Sequence, residues 1–128
     1  MKTTSFRLLP GDDLYRALEK QALKWEAACV LACVGSLTQL SIRLAGAKKS
    51  AYLSGPFEIL SLSGTCCPSG VHLHIAASNE TRKTIGGHLK PGSIIDTTAE
   101  IVIGILDNAT FTRQLDHQTG YPELLISQ

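Results

Sequence analysis

The sequence predicts an α+β domain, with one amphipathic helix near the N-terminus followed by about six or more strands in a mainly antiparallel sheet. Three observations predict it. Apolar residues recur at helical spacing in one clear place, "PGDDLYRALEKQALKWEA". After that segment the apolar residues alternate or gather in β-branched runs bounded by Gly, Pro, Asn and Asp. The connections between those runs are mostly short, as antiparallel neighbours allow and parallel crossovers do not.

Taken in order, Pro10 and Gly11 stop anything helical before them, Asp12 caps the helix, and Asp13 suits its positive end. Leu14, Ala17, Leu18 and either Leu23 or Trp25 form the apolar stripe, while Arg16, Glu19, Lys20 and Lys24 face water. Such a helix covers a sheet. "ACVLACVGSL" and "TQLSIRLA" follow as two β-like segments, separated by a turn of small residues near Gly35 and Ser36. "AGAKKSAY" reads as a loop with Lys48 and Lys49 solvated, and "FEILSLSGT" as a strand burying Phe57, Ile59 and the Leu60 to Leu62 stretch. "CCPSG" turns the chain into the strand "VHLHIAAS", and "NETRKTIGGHLKPG" is the next connection. "SIIDTTAEIVIGIL" is a long β-branched central strand, turned at Asp107 to Ala109, and "TFTRQLD" returns from it. "HQTGYPELLISQ" reads as a tail with a turn at Gly120 and Pro122. Neither repeat nor linker divides residues 1–128, which are expected to form a single domain.

Composition narrows the function classes. With 44% apolar and 18% charged residues the chain is globular rather than disordered. A net charge of +1 argues against a strong nonspecific grip on phosphate backbones. No apolar run reaches the ~18 residues of a membrane span, and "MKTTSFRLLPGDDL" lacks the apolar core of a secretory signal. A cytoplasmic protein without a membrane partner is the expectation. Cys29, Cys33, Cys66 and Cys67 then read as buried free thiols. "CVLAC" is not the CxxC of a zinc ribbon, and on one strand its two thiols stand about 13 Å apart, too far to share an ion.

The chemistry concentrates in the histidines. On a strand, His72 and His74 project from one face about 7 Å apart, while Val71, Leu73 and Ile75 point into the core. Two imidazoles so placed reach one ion between their tips. His88, behind two glycines that let the backbone turn sharply towards the sheet, is the natural third ligand. Three neutral histidines with an open position describe a catalytic or exchangeable site for Zn2+ or another divalent transition metal; the bland reading is a solvent-exposed or interfacial strand face. Glu100 is a candidate to orient one of the histidines, or to act as a base. Other chemistries have less support. "LSLSG" lacks the first glycine of a nucleophile elbow, nothing marks Cys66 or Cys67 as activated, and no glycine-rich phosphate loop is present. No catalytic residue is assigned.

"GPFEILSLSGT", "VHLHIAAS", "IGGHL" and "TTAEIVIG" come in the order and near the spacing of the PPC family, the domain shared by plants and prokaryotes, and the chain resembles it from "FRLLPGDDL" to "YPELLI". The resemblance, closest to the prokaryotic stand-alone type, implies a twisted, mainly antiparallel sheet with a helix against it, assembled as a homotrimer. It implies a DNA-associated or regulatory role. It also implies metal ligation by His72, His74 and His88, since all three motif positions are histidine here. The AT-hook arm of plant relatives is absent, the arginines are scattered, and Pro56 stands where plant relatives carry an arginine before "FEI". The alternatives are a metal-dependent enzyme or small-ligand binder using the histidine site, and a purely structural assembly partner.

Overall fold

A computed structural model describes residues 1–128. Eight strands and one helix follow in the order β1 (Lys2–Leu8), α1 (Leu14–Ala22), β2 (Ala28–Arg43), β3 (Ala51–Cys67), β4 (Gly70–Asn79), β5 (Thr84–Leu89), β6 (Ile94–Ile105), β7 (Thr110–Leu115) and β8 (Pro122–Ser127). The α+β expectation is met. Six strands form one antiparallel sheet in the order β1-β6-β2-β3-β4-β5, and β7 with β8 forms a separate hairpin. The sheet also closes on itself. At the end of β2, Ile42 and Arg43 pair with Leu89 and His88 of β5, so β2, β3, β4 and β5 make a small closed circuit. The closure covers the His88–Leu89 end of the β5 edge.

The helix forms where its capping signals predict, with the cap one residue later than expected. Asp13, not Asp12, is the N-cap; its carboxylate accepts from the Arg16 N–H at 3.1 Å. Asp12 instead closes the preceding turn by accepting from the Leu9 N–H at 2.8 Å. Leu14, Leu18 and Ala22 form the buried stripe. The helix ends at Ala22, so Trp25 is buried from the following turn while Leu23 is exposed.

Four sequence expectations are corrected, and a strand to which the sequence assigns no element precedes the helix. Lys2–Leu8 is a strand, pairing along its length with β6. The two segments on either side of Gly35 are one strand, because Gly35 does not turn the chain: it lets β6 press close, and a Cβ there would stand 2.1 Å from the Thr98 carbonyl oxygen. Register shifts along β2 and β3 break the alternation instead, and leave Leu60 exposed between buried Ile59 and Leu62. The connection after β4 contains β5, and the C-terminal tail contains β8.

The main core gathers the inner faces of the large sheet under the helix, including Leu37, Leu40, Ile42, Leu73, Ile75, Leu89, Ile101 and Ile103. A smaller cluster of Ala27, Cys67 and Phe111, joined by Leu106, Ala109 and Leu124, fastens the β7–β8 hairpin.

Candidate metal centre

Alternation along β4 sends Leu73 and Ile75 inward, with 1% and 2% of their surfaces exposed, and leaves His72 and His74 on the outer face. His88 reaches that face from β5, directly opposite His74. The glycines before it make no turn. Gly86 and Gly87 lie within the strand, and Gly87 lets β5 lie against β2: a Cβ there would stand 2.7 Å from the Arg43 carbonyl oxygen and 3.1 Å from buried Ile42. His88 is therefore placed by strand pairing, flanked by His74 on one side and Arg43 on the other.

The three rings form a compact cluster. The His72 and His88 rings are nearly parallel, with centroids 5.1 Å apart. The His74 ring stands edge-on to both, at 5.1 and 4.5 Å. One ligand nitrogen from each ring lies within 4.8 Å of the others. Nitrogens bound at ~2.1 Å to a tetrahedral ion stand roughly 3.4 Å apart, so ring rotations of about an ångström bring the set onto one ion. The protonation states suit ligation. Desolvation in the cluster holds the His72 imidazole below its ordinary 6.5, assisted by His74, Arg113 and Arg43 and opposed by Glu123. Desolvation does the same to His88, assisted by Arg43 and the other two rings. Both shifts favour the neutral ring, the form that binds metal. The donor set therefore fits a divalent transition ion held by imidazole.

Glu100 is elsewhere. It is exposed in the middle of β6, opposite Arg7 of β1 and Val34 of β2, and the order of strands sets β2 and β3 between it and the histidine pair of β4. Sequence spacing carries no information about that separation. Within the chain the carboxylate acting on His72 is Glu123 of β8. Three further side chains share this side of the molecule: Arg43, Arg113 and Tyr121 line a cavity of about 430 Å3 with His72, His88 and Glu123. The Arg113 Nη2 donates to Thr65 Oγ1 at 2.9 Å, and Thr65 lies opposite His72. Arg43 donates to the Ala47 carbonyl at 3.2 Å. Arg43, Arg113, Tyr121 and Glu123 carry no sequence signal, because the closure of β2 onto β5 and the packing of the hairpin bring them together.

The thiols take no part. All four cysteines are free. Burial pushes Cys33 up to about 11 and Cys66 up to about 12, the latter with help from Cys29 and Cys67.

A family model described as the Plants and Prokaryotes Conserved (PCC) domain matches residues 1–107. The chain is 47% identical over 130 residues to part of the "Bifunctional protein GlmU" of Synechococcus sp. (strain JA-3-3Ab), all of this chain aligning with 21% of that protein. It thus spans about a fifth of that relative. A hypothetical protein from Salmonella enterica, whose three-dimensional structure is known at 1.55 Å resolution, is 41% identical with a TM-score of 0.95, covering 98% of this chain and 93% of its own. A metal-containing protein from Archaeoglobus fulgidus is 26% identical with a TM-score of 0.77, covering 98% of this chain and 94% of its own. No helix is long and apolar enough to cross a membrane.

Proposed function

The chain belongs to the Plants and Prokaryotes Conserved (PCC) domain family, and from that premise we propose that it is a metal-binding protein whose centre is His72, His74 and His88. One observation carries this: three imidazoles from two adjacent strands meet on one face with their ligand nitrogens within 4.8 Å. The similarity to a metal-containing protein of the same fold supports it. Imidazole donors suit Zn2+ and its transition-metal neighbours. When bound, such an ion supplies Lewis acidity and an open coordination position. His72, His74 and His88 would hold it, above the buried Leu73 and Ile75, and His72 and His88 also border the arginine-lined cavity. That arrangement favours a small-ligand binder or metal-dependent enzyme.

Metal content of tag-free protein tests the proposal. About one ion per chain, lost in a His72→Ala, His74→Ala double variant, is the expected result; metal-free protein that cannot be loaded overturns it.

We place the DNA-linked role second. The chain's net charge is +1, and Arg7 on β1, Arg16 on α1 and Arg82 after β4 lie on separate elements. Absence of any gel shift with duplex DNA at low salt and micromolar protein would remove it. The homotrimer is also a proposal, and exposed Leu31, Val34 and Leu60 on β2 and β3 suit burial between subunits. Light scattering at the mass of one chain would exclude it.

A further inference from the structure

We infer that the cavity beside the triad recognises a small molecule through an oxyanion, a carboxylate or a phosphate, held between Arg43 and Arg113. The inference rests on the metal proposal for one of the anion's contacts and on the two arginines for the rest.

Three observations support it. First, neither guanidinium is in an ion pair; the chain's two salt bridges are Met1 with Asp107 and Arg16 with Glu19. Arg43 and Arg113 are half-buried, and each is steadied by one hydrogen bond, to Ala47 and Thr65, that leaves the rest of its donor fork free. Half-buried arginines fixed in this way are suited to planar, bidentate capture of carboxylate or phosphate. Second, the charges do not balance. Two guanidiniums, Arg43 and Arg113, face one carboxylate, Glu123. A divalent ion on the triad adds positive charge beside Arg43, the direct cross-strand neighbour of His88. Like charges in so confined a place repel, and an anion seated among them relieves the repulsion. Third, the cavity has the volume and concavity of a small-molecule site. At about 430 Å3 it is bordered by Tyr121 and by Arg113, Pro122 and Glu123 of the β7–β8 hairpin. Arg113, Tyr121 and Glu123 lie beyond residues 1–107 that match the family model, in the hairpin region that the solved relatives also cover.

The test is calorimetric titration of inorganic phosphate and, separately, malonate into zinc-loaded and metal-free protein. The wild-type chain is compared with Arg113→Gln and with Arg43→Gln, and zinc content and thermal midpoint are measured on each. The expected result is binding of at least one anion to the zinc-loaded wild type, weakened tenfold or more by each substitution, with zinc content unchanged. The stronger arm identifies the anion class. Binding of neither anion overturns the inference. So does binding that both substitutions leave unchanged, because the metal alone would then hold the anion. Arg43→Lys and Arg113→Lys serve where a Gln variant melts early; they keep the charge and lose the fork, and affinity equal to wild type would likewise count against the site. Should the wild type take up no metal, the metal proposal fails by itself. Anion binding to the metal-free chain that Arg113→Gln abolishes would still uphold the arginine site.

Discussion

Replacing Gly87 with alanine should separate the strand-pairing account of the site from a loop-borne one. A Cβ at Gly87 would lie 2.7 Å from the Arg43 carbonyl oxygen, 3.1 Å from Ile42 Cγ1 and 3.3 Å from Ile42 Cδ1. Ile42 is fully buried, so its side chain has little room to yield, and the carbonyl is backbone. Relief requires β5 to move off β2 by roughly half an ångström or more. Overpacking of this kind costs about 1–3 kcal/mol. For a chain of this size each kcal/mol shifts the thermal midpoint by roughly 3–4 °C, so the variant should melt ~3–12 °C lower. The displaced segment carries His88, and metal affinity should fall with it. Gly86→Ala is the control: its nearest contact is the Ile75 carbonyl oxygen at 3.3 Å, and its stability should change by no more than about 1 kcal/mol. Urea unfolding and a chelator competition on both variants make the measurement. Equal stability and metal affinity in Gly87→Ala and wild type would refute the claim that close approach of β5 to β2 sets the position of His88.

Three further outcomes are expected. Because His72 and His88 titrate below 6.5 in the fold, the contribution of their neutral rings to stability is complete above 6.5 and is lost as pH falls through the lowered values; metal release followed by a chromophoric chelator should therefore begin below pH 6.5, and release between pH 7 and 8 would contradict the neutral-ring assignment. Cys33 and Cys66, pushed up to about 11 and about 12 by burial, should resist iodoacetamide at pH 8 in the native protein and react on unfolding, as mass spectrometry of the labelled chain can show; rapid native labelling of Cys66 would refute their burial. Asp13→Ala should cost about 1–3 kcal/mol in urea, because Asp13 both caps the helix and accepts from the Gly92 N–H at 2.8 Å, whereas Asp12→Ala should cost less.

What the sequence makes legible is local. The capping aspartates and the Leu14, Leu18 stripe mark α1, and strict alternation in "VHLHI" places two histidines on one face and two core residues on the other. What it hides is set by distant pairing. β5 carries two glycines of low strand propensity between Ile85 and His88, and it is a strand because β4 and β2 hold it on either side. Gly35 mimics a turn signal and is instead a point of close approach. The histidine trio was readable from one strand pattern and one motif. Its charged neighbours were not: Arg43, Arg113 and Glu123 come from β2, β7 and β8, and only closure of the sheet and docking of the hairpin bring them to the same cavity. Glu100 illustrates the converse, a well-placed acid in sequence that the order of strands carries away from the histidines.

X-ray absorption spectroscopy of the zinc-loaded chain tests the central claim most directly, since multiple scattering counts imidazole ligands. Three imidazoles on one ion, falling to two in His88→Ala, is the predicted result. An ion with fewer than three imidazoles in the wild type, or a count that His88→Ala leaves unchanged, would contradict it.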